Sequence, residues 1–214
     1  MVLLYNFPMK EQSQQKIMDI YLEKSRRYFH QNTNLTDEII DAVVNASKPR
    51  KYKKGEIFSK QGELSDKLGY VCAGIFNVFS IQEDGALFVA NFLKEGDFVQ
   101  GAFELSAPGT LTIQALCDTF VVEINRHLIQ KMYLQYPQLE NFARLVVEKY
   151  LLIYASHMIQ IGTKKAKDNY MLFQKNFQSD EGRIPQHMIA AYLGITPTQL
   201  SRVKKKLSDT QQAY

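Results

Sequence analysis

The stretch from Pro49 to about Ile124 constrains the fold of this chain more than any other. Short apolar or alternating runs follow one another there: EIFSK, LGYVCAGIFNVFSI, ALFVANFL and LTIQALCDTFVVEI. Turn signals separate them, namely KKGE, KQGELSD, QEDG, KEGD and SAPGT. Gly supplies positive φ without steric cost, and Asp bonds its own backbone, so these clusters reverse the chain. Strands recurring at a spacing of roughly ten residues, each ended by a turn, predict a β-sandwich or barrel.

The flanks have a different texture. Residues from about Gln15 to Ser47 read as helical, with Thr36 placed to cap DEIIDAVVNAS. After the strands, NRHLIQKMYLQYPQLENFARLVVEKYLLIYASHMIQIG is helical over a long stretch, which Pro137 divides into a short and a long helix. The long helix, from Pro137 to about Ile161, is apolar on more than one face. Phe142, Leu145, Leu152 and Ile159 form one stripe, and Val146, Tyr150 and Ile153 a neighbouring one. One stripe can pack on the strands while the other pairs with a second copy, which predicts a homodimer. Lys149 and Ser156 interrupt the first stripe, so the residues leave open which is the seam. Gly162 and Thr163 are expected to end the helix and act as a hinge. A polar helix, KKAKDNYMLFQKNF, and a turn, QSDEGR, then lead into the last unit.

Charge is distributed unevenly. From Gly162 onward there are nine Lys or Arg against four Asp or Glu, whereas the first 161 residues hold seventeen against eighteen. A basic excess confined to the C-terminal quarter points to a polyanionic partner for that part. Only Cys72 and Cys117 occur, each inside an apolar run, too few for a disulfide framework, zinc site or iron–sulfur cluster. MVLLYNF is short and lacks a basic lead, unlike a signal peptide, and no apolar run reaches the length of a membrane span. The expectation is a reduced, cytoplasmic protein with no membrane partner.

The last unit reads most specifically. PQHMIAAYL is a helix started by Pro185, and after Gly194 a second helix begins at ITPTQLSRVKKKL. Thr196 is its N-cap, Pro197 takes the first helical position and Gln199 completes a capping box. Small Ala190 falls where two such helices touch and Gly194 where the chain turns; Ile189, Leu193, Ile195, Leu200 and Val203 form the core between them. This is the pattern of a helix-turn-helix, whose second helix enters the major groove of duplex DNA. Thr198 and Arg202 are best placed to read bases, Arg pairing bidentately with guanine, while Gln186, Thr196, Ser201, Lys204 and Lys205 suit phosphates.

The order of parts resembles the CRP/FNR family of bacterial transcription regulators over about Leu35 to Leu207. KKGEIFSKQGELSDKLGYVCAGIFNVF and KEGDF carry the resemblance in the β-rich part, and IPQHMIAAYLGITPTQLSRVKKK carries it at the C-terminal end. The resemblance implies an α+β protein: N-terminal helices and an antiparallel β-roll of the jelly-roll type over 1–136, a dimerisation helix over 137–161, and a helix-turn-helix unit over 162–214. It also implies a sensor roll, two-fold DNA sites, RNA polymerase as a partner if the protein activates, and Pro197, Thr198 and Arg202 at the base-reading positions.

Two departures stand out. Cyclic-nucleotide binders of the family carry Gly-Glu after GDF and an Arg before the next strand, for the ribose hydroxyl and cyclic phosphate. Here Gln100 and Gly101 stand at Gly-Glu, and Gly109 aligns with the Arg. Glu104 lies nearby, with no basic residue between Lys94 and Arg126. These residues argue against cyclic AMP and leave an apolar pocket for another effector, or none. The roll segment contains no His for haem, and His30, His127, His157 and His187 are scattered. After Lys206 only LSDTQQAY follows, so the family's β-wing is not evident.

An enzyme would need a convergent nucleophile, base or metal set, and no such spacing occurs. The other alternative is a cyclic-nucleotide-binding-like regulatory or protein-interaction module without specific DNA binding.

Overall fold

A computed structural model describes residues 9–102 and 104–212, with side-chain surroundings from residue 16 to residue 209. Two helices lead, α1 (Met9–Asn32) and α2 (Asp37–Ala46). Eight strands follow: β1 (Lys48–Tyr52), β2 (Ile57–Ser59), β3 (Lys67–Ala73), β4 (Ile75–Ile81), β5 (Leu87–Lys94), β6 (Phe98–Gln100), β7 (Thr112–Ala115) and β8 (Thr119–Asn125). Helices α3 (Arg126–Gln135), α4 (Pro137–Thr163), α5 (Ala166–Phe177), α6 (Gln186–Tyr192) and α7 (Pro197–Gln212) complete the chain, with a 3₁₀ turn at Glu181–Arg183 in the QSDEGR segment. The architecture is α+β, as the turn-punctuated strands between helical flanks predict.

The strands pair antiparallel in two four-stranded sheets, ordered β1-β8-β3-β6 and β2-β7-β4-β5. Their facing sides interdigitate in one core, where Tyr52, Phe58, Val71, Phe76, Val99 and Val121 are all buried. This is the closed sheet pair that short strands need, because each buries only one face of a few residues. Helices α1 and α2 cover the outside of the first sheet. Ile39, Ile40, Val43 and Val44 bury one face of α2, and Tyr21 stacks on Phe120 with ring centroids 4.4 Å apart. Thr36 does precede α2, but its side chain makes no capping bond; only its carbonyl accepts, from Ile40 N–H at 3.0 Å.

Helix α4 crosses the open side of the roll. Tyr150 and Tyr154 pack into the roll core, while Phe142 joins the cluster beneath α1 to α3. The opposite side of α4 is exposed, with Leu145, Leu152 and Ile159 open along it, and Val147, Leu151 and Met158, nearer the roll-facing tyrosines, are exposed as well. The Leu145, Leu152, Ile159 stripe is therefore unpartnered in the protomer, and Tyr150 of the other stripe meets the roll. The helix runs two residues beyond the expected end. Gly162 and Thr163 stay helical, Thr163 Oγ1 donates to the Ile159 carbonyl at 2.7 Å, and the backbone leaves the helix at Lys164. Among the described residues no helix is long and apolar enough to cross a membrane, and no three His, Cys, Asp or Glu gather as metal ligands.

Candidate nucleic-acid interface and effector cavity

The two C-terminal helices are held at a fixed angle by a small core and a single glycine turn. Ile189, Ala190, Leu193 and Leu200 are buried between them, with Ile195, Val203 and Leu207 packed at the edge. Gly194 turns the chain with φ of +66°, a conformation that costs a residue with Cβ. Ile195 N–H then donates to the Ala190 carbonyl at 3.0 Å. The capping box forms in full: Gln199 N–H donates to Thr196 Oγ1 at 3.2 Å, and Thr196 N–H to Gln199 Oε1 at 2.8 Å. Pro197 opens α7, where its missing N–H leaves no bond unmade.

This start leaves Pro197, Thr198, Ser201, Arg202 and Lys205 exposed on one side of α7. Lys204 is placed differently. Its ammonium donates to Glu181 Oε1 at 2.9 Å and to Gln186 Oε1 at 3.1 Å, and lies 5.6 Å from the centre of the Tyr170 ring. Burial alone would raise the Glu181 carboxyl, but hydrogen bonds from Tyr170, Lys204 and Gln174 outweigh it and hold the pKa below the usual carboxylate range. Lys204 and Gln186 thus tie α7 and α6 to the 3₁₀ turn and α5, whereas Thr196 serves the helix cap. Ser201 and Lys205 keep outward-facing polar groups beside Thr198 and Arg202.

The helix pair does not stand apart from the roll. Phe92 of β5 sits among Tyr192 of α6 and Phe173 and Phe177 of α5, at centroid distances of 5.4, 6.2 and 5.7 Å. The Lys94 ammonium donates to the Asn176 carbonyl. From α4, His157 stacks flat on Tyr192 at 3.9 Å, and burial holds the imidazole pKa below its ordinary value, against a backbone hydrogen bond with Tyr192 that raises it.

In the roll, the segment that aligns with the family's phosphate-binding cassette is packed too closely for the family's side chains. A Cβ on Gly101 would lie 2.7 Å from Ser59 Oγ and 2.6 Å from Ser65 Cβ. On Gly109 it would lie 2.7 Å from the Gly101 carbonyl oxygen. The loop is locked there: Gly62 N–H donates to the Gly109 carbonyl at 2.8 Å, and Ser59 Oγ to the Gly101 carbonyl at 3.2 Å. Gln100 Nε2 donates to the Ala102 carbonyl at 2.7 Å, and Glu104 is exposed. Phe103 lies outside the described residues.

The sequence does not reveal that a cation reaches this segment from elsewhere. Arg126, the first residue of α3, is buried, and its Nη1 donates to the same Ala102 carbonyl at 2.6 Å. One signal was present: a cation at a helix N-terminus opposes the helix dipole, so Arg there is held by something other than the helix. Beside it a half-open cavity of about 620 Å³ runs between the roll, α3 and α4. Its walls are mainly apolar, Leu68, Phe98, Ile124, Leu139 and Phe142 among them, and Tyr150 stands at the side of α4. The Tyr150 hydroxyl donates to Asp97 Oδ1 at 3.1 Å and accepts from Phe98 N–H at 2.8 Å, tying α4 to the β5–β6 turn.

Comparison with known proteins agrees with this layout. Residues 49–136 match the model of the cyclic nucleotide-binding domain. Over 182 residues the chain is 26% identical to transcriptional activator protein Anr of Pseudomonas protegens, covering 79% of this chain and 74% of that one. The structure of FixK2 from Bradyrhizobium japonicum superposes with a TM-score of 0.70 at 21% identity, covering 77% of this chain and 86% of that one. The c-di-GMP responsive global regulator CLP of Xanthomonas campestris gives 0.66 at 18% identity, with coverages of 82% and 93%.

Proposed function

We propose that this chain is a regulator of the CRP/FNR type: a cytoplasmic, dimeric, sequence-specific DNA-binding transcription regulator rather than an enzyme. One observation carries the reading: α7 starts on a complete capping box and presents Pro197, Thr198, Ser201, Arg202 and Lys205 together on its exposed side. A helix entering a major groove needs that arrangement, with its N-terminal residues free for base edges and flanking groups for phosphates. We assign base reading to Thr198 and Arg202, beside Pro197, and phosphate contact to Ser201 and Lys205. Gln186 and Lys204 hold the helix pair in its present angle, so phosphate contact by either requires the Lys204–Glu181 pair to open.

The exposed apolar side of α4 supports dimerisation through that helix, which would set two copies of α7 on half-sites about 34 Å apart. The collapsed Gly101–Gly109 loop supports a roll that does not take cyclic AMP or cyclic GMP. Selection of bound sequences from random duplex DNA, followed by a salt titration on the winner, tests the reading. An inverted repeat bound with a steep negative salt slope is expected, because each neutralised phosphate releases a counterion. Recovery of no motif, or a flat salt response, would refute it.

A further inference from the structure

We propose that the seam between the helix-turn-helix unit and the body formed by the roll and α4 is an acid-released latch, opened by a proton on His157. Apolar and aromatic side chains close most of this seam. Phe92 sits among Phe173, Phe177 and Tyr192, and Ile161 of α4 abuts the turn, its Cγ2 3.0 Å from where a Cβ on Gly194 would lie. The polar groups caught between them are poorly matched. Among the described residues four buried side-chain nitrogen or oxygen atoms have no hydrogen-bond partner within the protein, and three of them lie here. Asn77 Oδ1 is one, on the β4 residue whose Nδ2 reaches Met188 Sδ of α6 at 3.5 Å. Asn169 Oδ1 is another, on the α5 residue whose Nδ2 donates to the Gln160 carbonyl of α4 at 3.2 Å. The third is His157 Nε2. Each of these atoms gives up water on closure and gains no bond in return, so the closed seam is held by a narrow margin.

His157 is the member of this set that changes charge near neutral pH. The Tyr192 backbone bonds its imidazole, and Nε2 is left over. A proton there creates a buried N–H donor with no acceptor and a charge with no counter-charge. The titratable groups on its face are phenols, Tyr192 from α6 and Tyr154 one turn earlier on α4. Tyr192 is pushed up to about 12 by burial, so it does not ionise to balance an imidazolium. Lys94 of β5 donates to the Asn176 carbonyl, Glu181 and Lys204 pair with each other beside Tyr170 of α5, and His187 of α6 is exposed. No charged group among the described residues acts on the imidazole; burial alone holds its pKa down. The face of the Tyr192 ring attracts a cation and offsets part of this cost, but it accepts no ordinary hydrogen bond from Nε2. In water the same ring takes its proton at about pH 6.5. Closure is therefore complete above that pH and weakens as pH falls, because the open form binds the proton first. On the reading that α7 contacts DNA, opening frees that helix from its fixed position on the body, and specific binding becomes acid-sensitive.

The test places a thiol in the seam of the full chain by Val89→Cys, at a buried β5 position packed against the C-terminal unit. Its labelling by N-ethylmaleimide, read at residue 89 by mass spectrometry, proceeds through the open form. Rates are compared from pH 7.5 to pH 5.5 with and without His157→Phe, which keeps a flat ring and removes the titration; the thiol's own pH dependence cancels in the ratio. A group that titrates at about 6.5 only in the open form shifts the equilibrium by about tenfold over that interval, so the ratio should rise by about tenfold toward pH 5.5. A ratio that stays constant or falls overturns the proposal. The second variant, Asn77→Leu, leaves His157 in place and exchanges an unpaired buried amide for an apolar side chain. It should slow labelling several-fold at every pH and keep the acid response; labelling as fast as in the parent, or an acid response lost, counts against the latch. No DNA enters these measurements, so they stand or fall apart from the selection experiment.

Discussion

Leu152→Asp on α4 gives the sharpest test of the dimer. Leu152 is 67% exposed in the protomer, and Leu145 and Ile159 on the same stripe are 50% and 64% exposed. Such a side chain contributes little to the protomer's own core, so the variant should fold, with an unchanged far-ultraviolet circular dichroism spectrum. In a two-fold interface each substitution acts twice. Full burial of a leucine is worth about 1.5–3 kcal/mol, so losing it from both copies removes about 3–6 kcal/mol of association free energy. Two carboxylates near one axis add repulsion and desolvation to that loss. The dimer dissociation constant should therefore rise by roughly two to four orders of magnitude, at about 1.4 kcal/mol per decade. Sedimentation equilibrium across nanomolar to micromolar protein reads this directly, and affinity for an inverted-repeat site should fall with it. A variant that dimerises as tightly as wild type, or a wild type that is monomeric at micromolar concentration, would refute the assignment of this side of α4.

Further outcomes follow from the same geometry. Arg202→Ala should cost about 1–3 kcal/mol on the selected site and relax the preference at one base pair, whereas Lys205→Ala should weaken all duplexes alike and reduce the salt slope by about one unit; filter binding on specific and random DNA separates them. Gly101→Ala puts a methyl against Ser59 and Ser65 and should destabilise the roll by about 1–3 kcal/mol, read by thermal melting, so writing the family's Glu and Arg into positions 101 and 109 should not create cyclic AMP binding. His157 is a base held below its ordinary pKa by burial, so the unfolded chain binds its proton first; its contribution to stability is complete above about pH 6.5 and is lost as pH falls toward its folded pKa. Its stacking partner Tyr192, pushed up to about 12 by burial, stays neutral throughout. His157→Gln should flatten that part of the stability profile, measured by chemical denaturation between pH 7 and pH 5.

What could be read from the residues was what local rules specify. The capping box of Thr196 and Gln199, the turn at Gly194 and the helix-core spacing of Ile189, Leu193 and Leu200 are satisfied within a few residues of one another, so pattern and structure coincide. The same holds for strands ended by their own turn residues. What was not legible depends on contacts far apart in sequence. Arg126 reaches Ala102 across 24 positions, and nothing in the loop itself announces a cation. Nor did the residues announce that the C-terminal unit docks on the roll. Strand β5 did carry a trace of it: VANFL is apolar on both faces except at Asn91, in a sheet where one-sided burial gives alternation, and Val89 to Leu93 are buried throughout. Continuous burial means both faces are covered, and here the outer cover is α5 and α6. The two stripes of α4 could not be ranked from spacing alone, because the roll and a second copy ask for the same residue types.

One face of α4 meets every part that a signal would have to connect. Tyr150, Tyr154 and His157 recur at spacings of four and three, so they share a face along about two turns. Tyr150 is bonded to Asp97 and to the Phe98 backbone, Tyr154 to the Asn91 side chain, and His157 lies against Tyr192 of the helix-turn-helix. The cavity borders Tyr150 and Tyr154 on the roll side. A ligand there changes the DNA-binding unit only if it favours one position of this face over another, by the difference in its contacts to the two. The polar tie on this face that joins α4 to two groups of the roll at once is Tyr150, whose phenol holds the half-buried Asp97 carboxylate and the Phe98 backbone N–H. Tyr150→Phe removes both while keeping the ring. It should therefore leave the roll folded, with an unchanged far-ultraviolet circular dichroism spectrum, yet change the affinity for the selected DNA site by several fold. Wild-type affinity for the selected site in Tyr150→Phe would show that the roll and the DNA-binding unit are coupled by another path, such as the aromatic contacts of Phe92 with Tyr192, Phe173 and Phe177.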